Sequence, residues 1–129
     1  MEEKSQNYLK APSGLPLVQH SLNLMLDFYH KGEISLEQIV DKMCHAPTDC
    51  FRLRERGYIR EGYYADLAVV DLDHEWEINK DNIEYKCGWS PLEGVTMKGK
   101  VDSTFVNGQI VYRNGVVLPF SAGKRLEFH

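Results

Sequence analysis

The chain has 129 residues, 43% of them hydrophobic and 26% charged, with a net charge of -4 at neutral pH. That is the size of one modest domain, or of a small domain with a piece of another, at an ordinary globular composition. The acidic balance, and basic residues scattered so that Glu55 interrupts Arg52, Arg54 and Arg56, argue against nucleic acid as a partner. The longest apolar stretch, near Leu22 to Leu26, is far too short to cross a bilayer, and no basic segment precedes an apolar core as in a secretory leader. Cys44, Cys50 and Cys87 are odd in number, which fits reduced thiols in a cytoplasmic protein with no membrane partner.

In chain order, residues 1 to 11 are polar and read as a loop. "APSG" leads into a helix from about Leu17 to His30. Val18, Leu22, Met25 and Tyr29 make one stripe at helical spacing, and Leu24 and Phe28 a second. Gly32 closes it. The helix is apolar almost all the way round, so it demands cover on several sides. Ser35 with Gln38 forms a capping-box pattern that opens a helix to about Cys44, with a buried stripe of Leu36, Ile39, Val40 and Met43. Pro47 suits the first turn of a third, short helix to about Leu53.

After Gly57 the period changes. Leu67 to Val70 is a short apolar run that reads as a buried strand, and "EWEI" as another. Asn107-Gly108 and Asn114-Gly115 are hairpin signals, because a type I′ turn needs positive φ at both central residues. Residues 1 to about 54 are therefore loop and helix, and 57 to about 118 short antiparallel strands.

Local motifs for chemistry are sparse. His20, His30, His45, His74 and His129 show no paired metal-ligand spacing. His20 reads as a packed or partly exposed side chain. Cys44-His45 with Cys50 matches no zinc spacing, and small buried thiols are the expectation. Asp71, Asp73, His74 and Glu75 read as a solvated turn after a strand. Trp76 and Trp89 read as core residues. There is no nucleophile elbow and no phosphate-binding glycine loop, so no catalytic residue is assigned.

The order of the pieces is more informative. "APSGLPLVQHSLNLML", "GEISLEQIVDKMCHAPTDCFRL", "GYIREGYYADLAVVDLD" and "SPLEGVTMKGKVDSTFVNGQIVYRNG" together resemble the C-terminal third of a dihydroorotase of the amidohydrolase superfamily. The pattern from Gly57 to Asp71 resembles the superfamily at large. The segment from Ser90 to Tyr112 narrows the likeness to dihydroorotase and its near relatives, and the opening through Gln19 looks closest to bacterial members.

The resemblance implies an α/β parent fold, a (β/α)8 barrel with a small β-sandwich. This chain would be its last helices plus the C-terminal sandwich part, locally α+β. Residues 1–56 would be the barrel remnant with a substrate loop, 57–118 the sandwich part, and 119–129 a C-terminal tail. The implied activity is interconversion of dihydroorotate and N-carbamoyl-aspartate in pyrimidine synthesis. It would depend on Zn2+, which lowers the pKa of a bound water and polarises the amide carbonyl. None of the family's metal ligands matches a position here, so no metal is expected on this chain, and the chain alone is expected to be inactive.

Its one implied contribution is the loop Ala11 to Gly14, with Ser13 and Gly14 meeting the substrate ring through backbone groups. The plain alternative is that Pro12 and Gly14 only shape the turn into the helix. The all-round apolar helix would be the last barrel helix, and its uncovered surface implies a homo-oligomer. Two other readings stand beside this one: a non-catalytic dihydroorotase-like subunit, and a dihydropyrimidinase or allantoinase relative.

Overall fold

A computed structural model describes residues 4–119 and 123–129. They form a small α+β unit in which one antiparallel sheet carries one helix. A 3-10 turn, Val18–His20, runs into α1, Ser21–His30. Then follow α2, Leu36–Val40, a π turn over Asp41–His45, and α3, Ala46–Phe51, without a break between them. The strands are β1, Leu67–Glu77; β2, Thr96–Val106; β3, Gln109–Arg113; and β4, Val116–Val117, paired in that order. Among the described residues the strands make one sheet, and the layer on its face is α1, which packs along β2.

The hairpins form where the Asn-Gly pairs predict them. Asn107 and Gly108 have φ of 49° and 80°, and Asn114 and Gly115 of 48° and 86°, the doubly left-handed geometry of a type I′ turn. They join β2 to β3 and β3 to β4 with Val106 opposite Gln109 and Arg113 opposite Val116. The Gly108 amide also donates to the Ala65 carbonyl at 3.0 Å, and the Asn107 amide to Asp66 Oδ1 at 2.7 Å. Asp66 further pairs with Arg56, whose other nitrogen reaches Asn107 Oδ1 at 2.9 Å. Asp66 therefore ties the chain entering β1 to the tip of the β2–β3 hairpin. Arg56 is buried, and a buried cation needs this kind of hydrogen-bonded carboxylate partner.

Several sequence expectations change. The capping box is present, with the Gln38 amide donating to Ser35 Oγ and the Ser35 amide to Gln38 Oε1. The two predicted helices after it are one run bent by a π turn, because Pro47 lies at the start of α3 and its ring disfavours a regular preceding turn. Of the predicted stripe only Ile39 is buried, while Val40 and Met43 are exposed.

"EWEI" is no separate strand, since β1 continues through Glu77. The apolar run at its start is largely uncovered, with Leu67 and Val69 exposed, because β1 is an edge strand and α1 sits over β2. Asp71, Asp73, His74 and Glu75 lie within β1, not in a turn after it. Asp71 pairs with Lys100 and Glu75 with Lys98, so the extra residues form a bulge. Cys44 and Cys50 are exposed free thiols, not buried ones, since the helical run has little to pack against, and Cys87 is an exposed free thiol as well.

The chain end adds a contact that composition did not suggest. Leu53 and Phe128 form an antiparallel bridge. The Arg54 amide donates to the Glu127 carbonyl at 2.9 Å and the His129 amide to the Arg52 carbonyl at 3.0 Å.

Candidate functional site

The loop from Ala11 to Gly14 is exposed apart from Ala11. Gly14 has φ of +95°, and a Cβ placed there would meet nothing within 4 Å. The glycine is therefore required by the backbone turn rather than by crowding. Lys4 donates from Nζ to the Pro12 carbonyl and to the Gly14 carbonyl at 2.6 Å. One ammonium thus holds two carbonyls of the loop, so those acceptors face Lys4, and the Ser13 hydroxyl is left at the surface. Lys4 is a residue the sequence reading passed over within a polar loop, and nothing in its local pattern marks it.

Behind the loop, α1 is clamped on the sheet by polar residues of an apolar helix. Gly99 on β2 has φ of +96°, and a Cβ there would fall 2.9 Å from Leu26 Cδ1, so the missing side chain lets α1 approach. The Gly99 carbonyl accepts from Asn23 Nδ2 and from Trp76 Nε1, each at 3.1 Å. His30 Nε2 lies 2.8 Å from the Leu72 carbonyl. The face that is buried carries His20, Asn23 and Leu26, while Val18, the head of the predicted stripe, is 88% exposed.

At the start of α1, Gln19 grips the segment after β1. Its Nε2 donates to the Asn82 carbonyl at 2.7 Å, and its Oε1 accepts from the Glu84 amide at 2.9 Å. The Gln19 amide donates to the Tyr85 hydroxyl at 3.0 Å, and that hydroxyl lies 3.3 Å from His20 Nδ1. Which of the two atoms holds the proton between them follows the tautomer of His20. His20 Nε2 is buried without a hydrogen-bond partner among the described residues. Burial holds the His20 pKa below its ordinary value, since the imidazolium would lose its hydration. Trp76 and Tyr85 flank the ring at centroid distances of 6.1 and 5.6 Å. A cavity of about 410 Å³ lies beside this cluster, lined among others by Trp76, Lys100, Val111 and Tyr112.

The structure keeps the other flagged residues apart. His45 stacks on Tyr58 at 4.2 Å, away from any cysteine pair. Among the described residues no group of three or more His, Cys, Asp or Glu could hold a metal ion. The residues present therefore do not fit the zinc that the resemblance implies.

A helix on a four-stranded meander, fronted by a pinned glycine loop and entered through the Gly57–Asp71 pattern, is an arrangement found in known hydrolases. Residues 8–111 match the amidohydrolase family, and the chain belongs to it. Over 114 residues it is 37% identical to the dihydroorotase of Pyrococcus furiosus, covering 88% of this chain and 27% of that protein. The dihydroorotase of Halobacterium salinarum is 41% identical over 92 residues, 71% of this chain and 22% of that protein. The L-hydantoinase (dihydropyrimidinase) of Arthrobacter aurescens superposes with a TM-score of 0.80 at 32% identity, over 86% of this chain and 25% of that one. The chain thus spans about a quarter of the length of the relatives it matches. No helix among the described residues is long and apolar enough to cross a membrane.

Proposed function

We propose that this chain is the substrate-loop and closing-helix portion of a dihydroorotase, an enzyme that interconverts dihydroorotate and N-carbamoyl-aspartate by making and breaking a cyclic amide. The observation that carries the reading is the identity to dihydroorotases, 37% over 114 residues, across the segment that includes the pinned loop. In this reading the parent is a (β/α)8 barrel, with its site at the strand ends beneath that loop. The zinc is held by residues outside this chain, so the chain alone is inactive and no chemical step is assigned to its side chains.

Ser13 and Gly14 contribute positioning. With the Pro12 and Gly14 carbonyls turned to Lys4, the loop is set before substrate arrives, and its amide groups are the ones left to meet a carboxylate or ring oxygen. Such preorganisation spares the substrate the cost of ordering the loop. A cytoplasmic homo-oligomer fits the apolar residues left uncovered, such as Leu15 and Val18.

The likeness to an L-hydantoinase structure supports a second reading, a related cyclic-amide hydrolase acting on hydantoins or dihydropyrimidines. A third reading, a non-catalytic dihydroorotase-like subunit, is supported by a likeness of fold alone, to an inactive dihydroorotase-like domain of Chaetomium thermophilum with a TM-score of 0.64 at 19% identity.

The test is to assay the native gene product carrying this segment on dihydroorotate, hydantoin and allantoin. We expect turnover of dihydroorotate above the others, and a loss of at least about tenfold for Gly14→Val, because a β-branched residue resists φ near +95°. Preferential turnover of hydantoin would establish the second reading instead, and no turnover of any of the three would establish the third.

A further inference from the structure

A second cavity, of about 370 Å³, opens between α3 and the loop from Arg56 to Tyr63. Its walls are polar and include Arg52, Arg56 and Arg60, with Thr48, Tyr63 and His129 around them. Arg56 is already committed to Asp66 and Asn107. Arg52 and Arg60 are not: among the described residues neither guanidinium has a hydrogen bond or an ion pair.

Arg60 is nevertheless held in place through its side chain, and Arg52 at its backbone. Arg60 lies over the Tyr58 ring at 4.4 Å and near that of Tyr63 at 5.7 Å. Tyr58 in turn stacks on His45 with an angle of 7° between the rings, so Arg60 is the outer member of a three-layer stack. The Tyr58 hydroxyl fixes the stack by donating to Asp49 Oδ2 at 2.9 Å. Arg52 occupies the left-handed position after α3, with φ of 54°, a conformation uncommon for a residue with a side chain. Its carbonyl is fastened to the His129 amide at 3.0 Å.

Between them stands Thr48, only 6% exposed, whose hydroxyl has no hydrogen-bond partner among the described residues. The hydroxyl is not sealed off, since His20 Nε2 is the only fully buried side-chain nitrogen or oxygen without a partner among the described residues, so it is open to an acceptor that enters a cavity walled by free guanidinium groups. The side-chain carboxylate at the rim is that of Asp49, which is engaged by Tyr58 and pairs with neither Arg52 nor Arg60.

We propose that this cavity binds a phosphate-bearing small molecule, with Arg52 and Arg60 donating to the phosphate oxygens and the Thr48 hydroxyl donating a third hydrogen bond. Two guanidinium forks and a hydroxyl line the one cavity, and a phosphate offers more acceptor oxygens to such a donor set than a carboxylate does. The stack of His45 and Tyr58 presents Arg60 already oriented, which lowers the ordering cost of binding. The site is independent of the proposed hydrolase activity and shares no lining residue with the Ala11–Gly14 loop.

Inorganic phosphate is the probe, titrated into the full chain at low ionic strength by calorimetry and by phosphorus NMR, with succinate as the carboxylate control. We expect saturable one-to-one binding of phosphate, with succinate at least about tenfold weaker. Arg60→Gln and Arg52→Gln should each weaken binding by about tenfold or more. Arg60→Lys, which keeps the charge without the planar fork, should weaken it measurably, and Thr48→Val several-fold. Lys124→Gln, outside the cavity, should leave it unchanged. Circular dichroism identifies any variant that fails to fold, and the remaining arms then decide. Absence of saturable binding, succinate binding as tightly as phosphate, or a folded Arg60→Gln that binds like the parent would each overturn the proposal.

Discussion

The two helical regions of this molecule both carry apolar stripes and have different fates. α1 lies on β2, burying His20, Asn23 and Leu26. The run from α2 through α3 carries an apolar stripe of its own, yet of it only Ile39 and Thr48 are buried, and Val40, Met43 and Phe51 stay exposed at 44, 37 and 65%. The difference lies in what each meets. α1 finds a strand with a notch at Gly99 and a carbonyl that takes two donors. The second run meets mainly the irregular chain around Gly57, where a Cβ would fall 1.8 Å from Thr48 Oγ1. Hydrophobic periodicity states that a helix face needs cover. It does not state which surface supplies the cover, nor how much of it.

Glycine substitutions test each region where it is closest packed, and carry the largest expected effects. Gly57→Ala would place its Cβ 1.8 Å from Thr48 Oγ1 and 2.9 Å from the Cys44 carbonyl, at φ of +74°. We expect a loss of about 3 kcal/mol or more, from strain and overpacking together. Gly99→Ala meets the more yielding Leu26 side chain at 2.9 Å, for an expected loss of about 2 kcal/mol. Chemical denaturation gives both values. If Gly99→Ala proved the costlier, the ranking of the two contacts would be reversed.

Truncation of one apolar side chain in each region sharpens the contrast. Leu26→Ala should cost about 3 kcal/mol, the usual price of a buried leucine. Met43→Ala, at a half-open position, should cost less than about 1 kcal/mol. Equal losses would mean that the second run is covered in solution by another copy or another segment. Sedimentation of the parent chain would show whether that cover is a second copy.

The smallest effect is a pH dependence confined to the first region. Burial lowers the His20 pKa below its ordinary value of 6.5, so the folded chain holds this group neutral where the unfolded chain protonates it. Below pH 6.5 the unfolded state therefore binds the extra proton, and stability falls as pH drops until the folded-state pKa is passed. Above 6.5 the group contributes no slope. Melting temperatures measured across that window should fall on acidification for the parent and less steeply for His20→Gln. Parallel curves would remove His20 as the source.

The hairpins were the most legible part of the fold, because Asn107-Gly108 and Asn114-Gly115 encode their turn in four local dihedrals that need no partner. The capping box at Ser35 and Gln38 is local in the same sense. The π turn before α3, the bulge at Asp71–Glu75 and the exposed cysteines were not legible, since each depends on what packs nearby. The loop at Ser13 and Gly14 could be picked out only by resemblance, and the Lys4 clasp on its carbonyls joins residues too far apart for any local pattern. His20 was read as a packed side chain, but its hydroxyl partner, Tyr85, lies 65 residues away.

By itself the sequence determined the family, the change from helix to strand near Gly57, and the turns, because these reside in short patterns of residue type and glycine placement. Only the tertiary structure decided which face of α1 is inside. A polar triad of His20, Asn23 and Gln19 faces carbonyls, amides and a phenol supplied by β2 and the segment after β1, and those fixed partners outweigh the apolar stripe that starts at Val18. A buried polar group must find a partner of defined geometry, whereas an apolar one needs only to leave water, so distant hydrogen bonds set the rotation of a helix that its apolar residues leave open.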